Sequence, residues 1–349
     1  MFENIVSLGY EIIDIREDEN SIVFSVIPRY SHKESFSLVY KNLPEGFIPI
    51  YRKTCVGYEI RILKRERRER KISKKTNLAL LIATMITTTW AGYAIWAEGD
   101  IKKSIIFSIS LMSILGIHEL AHALTAKKEG IRATLPIFIP VPPPIFPFGT
   151  LGAVIFMNSP VRNRGSLIKI GISGPIAGFC LSVPLSIIGI YLSQAAPPSS
   201  IGEEGFILGP SLLFYLVTRI LFGEMQDKIL LLHPLAIAGW AGLFVTSLNL
   251  IPVGQLDGGH VIRGIAPMKY KYIYRLTMLF LLIMGFIWPG WFVWAIVVYF
   301  LTKSQHPGPL DDVSEPTGKE KMMLGAMALM LILSFMPIPI APATYIQNT

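Results

Sequence analysis

The chain has 349 residues, of which 52% are hydrophobic and only 16% charged, with a mean hydropathy of +0.50 and a net charge of +8. Soluble domains carry about 25% charged residues, so this balance points to a membrane protein; it excludes a disordered chain, which needs low hydrophobicity. Two cysteines, Cys55 and Cys180, the latter inside an apolar run, exclude a disulfide-stapled scaffold and predict free thiols.

Residues 1–30 lack the basic start, apolar middle and small-residue cleavage site of a secretory leader, so the N-terminus is expected in the cytosol. Residues 1–70 read as a small cytosolic α+β domain with a regulatory or docking role. Ser21–Ile27 is rich in β-branched residues and predicts a strand. Ser35–Leu43 predicts a helix, ended by Pro44-Glu45-Gly46. Phe47–Arg52 and Tyr58–Leu63 predict two more strands, joined by a turn at Cys55-Val56-Gly57. The basic run from Lys64 to Lys75 leads into an apolar stretch. With residues 71–77 as the linker, it reads as a juxtamembrane anchor on the cytoplasmic side. A nucleic-acid patch would interleave base-stacking aromatics, which are absent, so no nucleic-acid partner is expected.

From residue 78 to 340 the texture is that of a membrane-embedded domain. Apolar stretches approaching the roughly 20 residues of a bilayer span recur at 78–96, 101–125, 168–192, 234–250, 276–301 and 322–340. Pro289-Gly290 interrupts the fifth, giving one kinked span or two short helices. Residues 135–148 are apolar but hold six prolines, so they predict a non-helical segment dipping into the membrane against protein. The fold class expected is an α-helical polytopic membrane protein of about six or seven spans or partial spans, with the small α+β domain in front. Trp288, Trp291 and Trp294 are expected as interfacial anchors.

The second stretch holds His118-Glu119-Leu120-Ala121-His122. On a helix, positions i and i+4 share a face, so both imidazoles reach one Zn²⁺. Glu119 beside them can take a proton from water. A catalytic zinc keeps one position open and needs a third protein ligand. The candidate is Asp257, at a membrane boundary and followed by Gly258 and Gly259, which permit close backbone approach. His260, three residues on, is the rival third ligand. Three ionisable residues within a span are costly and mark function.

The His118–His122 motif and Asn249-Leu-Ile-Pro-Val-Gly-Gln-Leu-Asp257-Gly258-Gly259 together resemble the site-2 protease family of intramembrane zinc metalloproteases. Phe148–Ala153, Asn163–Gly178, His233–Trp240 and His306–Asp312 are similar to its archaeal, cyanobacterial and plant-plastid branch, and the likeness covers roughly residues 78–340. The resemblance implies zinc on His118, His122 and Asp257, with Glu119 as general base. It implies that Asn249 holds the substrate backbone or the developing oxyanion, and that Gly152 and its neighbours line the edge receiving substrate. Many members have a second proline where Gly254 stands and asparagine where Gly178 stands, which leaves substrate contacts there open.

The expected protein is therefore a multi-pass integral protein of the cell membrane, with its N-terminus and active site toward the cytosol. It would hydrolyse peptide bonds within or near transmembrane segments of membrane-protein substrates, in regulated intramembrane proteolysis. For Asp257 to reach the depth of His122, the stretch 234–250 must run inward, so 206–222 is expected at the outer interface or re-entrant. Thr150–Met157 has strand character and is a candidate to pair with unwound substrate. The rivals are a zinc-binding transporter or sensor, a membrane hydrolase acting on lipid or a prenylated peptide, and a proteolytically dead relative.

Overall fold

A computed structural model describes residues 1–18, 20–64, 72–200, 206–225, 228–301 and 306–343. The charged centre of the basic run, residues 65–71, lies outside them.

The N-terminal part comprises α1 (Phe2–Val6), β1 (Tyr10–Asp18), β2 (Ser21–Pro28), α2 (His32–Asn42), β3 (Phe47–Thr54) and β4 (Gly57–Lys64). Its antiparallel sheet has the order β1-β2-β4-β3. Phe24, Val26, Tyr51, Ile60 and Ile62 pack with Phe36 and Val39 of α2 in one buried cluster. Helix α2 starts where Ser31 Oγ accepts the Glu34 N–H, an N-cap. Strand β1 has no counterpart in the sequence reading. It lies at the sheet edge, where Glu11, Asp14, Arg16, Glu17 and Asp18 stay in solvent and mask the alternation.

The helical part begins with α3 (Lys74–Ala91), continued by a π-turn at Gly92–Trp96, and α4 (Ile101–Lys128). A hairpin follows, β5 (Ile137–Pro140) with β6 (Thr150–Val154), then α5 (Arg164–Tyr191). The short elements β7 (Gln194–Ala196), β8 (Phe206–Leu208), α6 (Leu212–Phe222) and β9 (Ile229–Leu231) lead to α7 (Pro234–Leu250) and α8 (Asp257–Ile265). The chain ends with α9 (Tyr270–Gly285), α10 (Gly290–Leu301), α11 (Gly318–Ser334) and β10 (Ile340–Pro342), which pairs with β8.

Among the described residues, the helices at 74–96, 101–128 and 164–191 are long and apolar enough to cross a membrane. Twenty-eight residues reach about 42 Å, more than the roughly 30 Å of a hydrocarbon core. Helices α6, α7 and α10 are apolar but shorter. Against the six or seven spans or partial spans expected from the sequence, three helices among the described residues have spanning length.

Helix α5 is the central post. Close approach to its neighbours rests on small residues: Gly189 faces the Leu235–Ala236 backbone, Gly239 faces Ser186 and Gly242 faces Ser182. Thr88 Oγ1 and Ser108 Oγ, 2.5 Å apart, join α3 to α4 where no water competes.

Residues 135–148 form no helix. They run as β5 and a turn, with Trp96 stacked on Phe148 and its indole N–H donated to Pro147 O at 2.7 Å. Pro289-Gly290 separates α9 from α10. For Trp291 the anchor expectation is corrected. Trp291 is fully buried, and the indoles of Trp288 and Trp291 donate to Ile340 O and Pro337 O, both at 2.8 Å. These two rings hold the 337–340 segment against α10. Their spacing suggested a belt because sequence alone did not show the carbonyls that satisfy the indole N–H groups. Cys55 and Cys180 are both free thiols, as expected.

Candidate metal centre

His118 and His122 lie one turn apart on α4, both buried, with ring centroids 4.9 Å apart. Asp257 is the first residue of α8 and meets them from the opposite side. Its Oδ2 lies 3.1 Å from His118 Nε2 and 3.3 Å from His122 Nε2, and the two Nε2 atoms are 3.2 Å apart. Ligands about 2.0–2.1 Å from a tetrahedral metal ion are about 3.3–3.4 Å from one another, so this triangle has the size such an ion requires. Among the described residues, these three form the group able to hold a metal ion.

The orientation of each ligand has a visible cause. His122 Nδ1 lies 2.7 Å from Ile170 O. A carbonyl only accepts, so the ring proton sits on Nδ1, and Nε2 offers its lone pair to the centre. Asp257 is placed by the loop 251–256, folded tightly over the end of α7. A Cβ at Gly258 would strike Leu250 O, and one at Gly259 would strike Gly254 O. Tyr270 OH donates to Gly254 O at 2.9 Å and holds the loop. The glycine pair after Asp257 thus does what its sequence suggested: it lets α8 close on α7.

Glu119 points into the same space and is half-buried, with the backbone N–H of Ile155 in reach of its carboxylate. Ile155 follows β6 directly, so the strand ends beside the glutamate. Asn249, near the end of α7, places Nδ2 3.4 Å from His118 Nε2. Gly152 in β6 adopts φ +100°, and a Cβ there would meet nothing within 4 Å. One side of the strand is open at that point.

Of the two rivals for third ligand, His260 is turned away: its Nδ1 lies 2.7 Å from His306 Nε2, and Asp257 alone completes the triangle. Sequence reasoning did not find the wall that α5 provides. A Cβ at Gly174 would strike His122 Nε2, one at Gly178 would come within 3.1 Å of His118 Nδ1, and one at Gly171 would come within 3.0 Å of Asp257 O. The spacing Gly171, Gly174, Gly178 on one helix face was the available signal. Ile170 O, a backbone group, left none.

The profile of peptidase family M50 matches residues 106–287, just over half of the chain, a range that includes His118, Glu119, His122, Asn249 and Asp257. The chain is 28% identical over 245 residues to the probable zinc metalloprotease EGY1, chloroplastic, of Arabidopsis thaliana, a match covering 68% of this chain and 44% of that protein. It is 30% identical over 243 residues to the probable zinc metalloprotease EGY2, chloroplastic, of the same plant, covering 65% and 41%. The EGY2 protein of Oryza sativa subsp. indica matches at 28% over 249 residues, covering 68% and 44%. The chain thus spans less than half the length of these relatives. No solved structure matches it.

Proposed function

This chain belongs to peptidase family M50, and on that footing we propose that it is an intramembrane zinc metalloprotease cutting membrane-protein substrates within or near their transmembrane segments. The observation that carries the reading is the His118–His122–Asp257 triangle at the junction of α4 and α8, with Glu119 beside it.

The donor set fits zinc. Two neutral imidazole nitrogens and one carboxylate oxygen are its usual ligands, and the 3.1–3.3 Å edges suit its coordination sphere. We assign the metal to His118, His122 and Asp257. A zinc ion held there would supply Lewis acidity, polarising a peptide carbonyl and lowering the pKa of water. Glu119 accepts the proton of the attacking water and returns it to the leaving amine. Its place beside the triangle, in a partly dry site, keeps that shuttle short. Asn249 offers its side-chain N–H to the oxygen on which negative charge develops.

A transmembrane substrate hides its carbonyls in its own helix and must unwind. We assign β6 as the edge that receives the unwound segment, because its open side at Gly152 leads to Ile155 and Glu119. The protein is read as multi-pass in the cell membrane, with the N-terminus and the active site toward the cytosol. Arg263, Lys269, Lys271 and Arg275 follow Asp257 and suit a cytosolic face. We further read residues 1–70 as a cytosolic α+β unit and 78–340 as the protease proper.

The test is zinc content together with cleavage of a single-span substrate in detergent. Wild type is expected to hold close to one zinc per chain and to cleave. Glu119→Gln should keep the zinc and lose cleavage by about 10²–10⁴-fold, the contribution of a positioned base. Asp257→Ala should lose both. Zinc without cleavage by wild type, combined with metal flux across vesicles, would replace this reading with a zinc transporter.

A further inference from the structure

Helix α8 carries Asp257 at its first residue, and two further side chains on α8 are held by a segment far along the chain. His260 Nδ1 meets His306 Nε2 at 2.7 Å. Gly308 N–H donates to His306 Nδ1 at 3.0 Å, so the ring proton of His306 sits on Nε2 and is given to His260. Burial, with His260 and Arg263 alongside, pushes the His306 pKa down to about 3 and keeps that ring neutral. One turn further, the Arg263 guanidinium makes a two-pronged pair with Asp312, NH1 to Oδ1 at 2.8 Å and NH2 to Oδ2 at 2.6 Å. Both partners are mostly buried. A bidentate pair fixes orientation as well as distance.

The segment 306–314 is itself anchored on two sides. Leu310 N–H donates to Val161 O and Asp311 N–H to Arg162 O, at 2.8 and 2.9 Å. Across it, Tyr51 N–H of β3 donates to Leu310 O at 2.8 Å, and Asp312 N–H donates to Tyr51 O at 3.2 Å. Arg52 adds donors to Leu310 O and Pro307 O. Residues 310–312 therefore lie as an extra strand between the N-terminal sheet and the stretch leading into α5.

We propose that His306 and Asp312 are positioning residues that hold α8, and with it Asp257, against His118 and His122, and that the strap 306–314 links the N-terminal sheet mechanically to the metal centre. The inference rests on the metal assignment made above. Asp257 stands at the first residue of a nine-residue helix, and Gly258 and Gly259 in its first turn pack closely on the preceding loop. Clamping His260 and Arg263 removes the roll and slide that would otherwise carry the carboxylate off the triangle. Arg164 completes the clamp at the other end, giving Nε to Gly264 O at 2.7 Å and NH2 to Ile265 O at 2.8 Å.

The experiment uses the full chain in detergent. His306→Ala, His306→Gln and Asp312→Asn are compared with wild type by zinc retention against a chelator and by amide hydrogen exchange over residues 257–265. His306→Ala and Asp312→Asn should loosen zinc about tenfold, in the range seen for groups that orient ligands. They should also speed exchange in α8 while leaving α4 and α5 protected. His306→Gln, which keeps a side-chain N–H donor, should recover most of both. Unchanged zinc retention and unchanged α8 exchange in His306→Ala and Asp312→Asn would overturn the proposal. So would exchange that rises equally everywhere, or a His306→Gln variant as loose as His306→Ala. If wild type holds no zinc, the metal assignment falls and this coupling to it falls too, whereas zinc held equally by all four proteins with unchanged α8 exchange sinks the strap alone.

Discussion

Gly174 shows how a residue with no chemistry of its own governs the metal centre. A Cβ at this position would occupy the place of His122 Nε2 and lie 2.7 Å from His118 Cδ2. Alanine there must push α5 outward or turn the His122 ring, and either movement breaks the Nδ1–H bond to Ile170 O that aims the ring. Gly174→Ala is therefore expected to lower zinc affinity about 100-fold, the upper range for loss of a group that orients a ligand. Gly178→Ala, whose Cβ would sit 3.1 Å from His118 Nδ1, should cost less. Zinc counted per chain after dialysis against a graded chelator separates the two. The His118–His122–Asp257 cluster, a group able to hold a metal ion, was legible in the sequence because i,i+4 spacing on a helix and a carboxylate before two glycines are local signals. The choice between Asp257 and His260 was not, because it depends on His306, 46 positions away in the chain.

Among the elements, β6 is the one whose proposed role is set by what is missing beside it. The strand pairs with β5 on one side, and the register shifts between Phe138 and Pro140. Gly152, opposite that irregularity, takes φ +100° and leaves open space where a side chain would stand. Alanine in this conformation is strained by about 1–2 kcal/mol and also narrows the opening. If the edge receives unwound substrate, the added methyl in that opening should make Gly152→Ala raise KM about tenfold, a loss of about 1.4 kcal/mol of binding, with zinc content unchanged. Steady-state cleavage of the single-span substrate reads KM, and metal analysis of the same sample reads the control. A fall in zinc would instead make β6 a packing element. The long helices α3, α4 and α5 were plain from uninterrupted apolar runs, and Pro289-Gly290 correctly marked a break. The short strands β7 to β10 were not foreseen: three residues are too few to show an alternation, and their partners are distant in sequence, as β8 with β10 is.

Across the whole molecule, the N-terminal sheet and the helical part share a strand, and this bears on how far residues 1–70 stand alone. Leu310, only 4% exposed, sits in the same buried cluster as Tyr51, Phe36 and Ile60, with Val313 packed against it. Without the strap, the β3 edge loses the bonds from Tyr51 to Leu310 and Asp312, and the cluster opens at one end. A domain of about 60 residues is marginal even when its core is complete. Residues 1–64 produced alone are therefore expected to unfold without a cooperative transition. The same residues joined through a flexible linker to 306–316 should give a single sigmoidal urea transition. Leu310→Ala in the joined form should lower its stability by about 2–5 kcal/mol, as for other buried leucines. Far-ultraviolet circular dichroism during urea titration measures all three proteins. A cooperative transition in residues 1–64 alone, with the same midpoint as the joined form, would show that the sheet folds without the strap. The strap would then be a contact the sheet makes rather than a strand it needs, and any influence of the N-terminal part on α8 would have to pass through Arg52 and its two carbonyl partners.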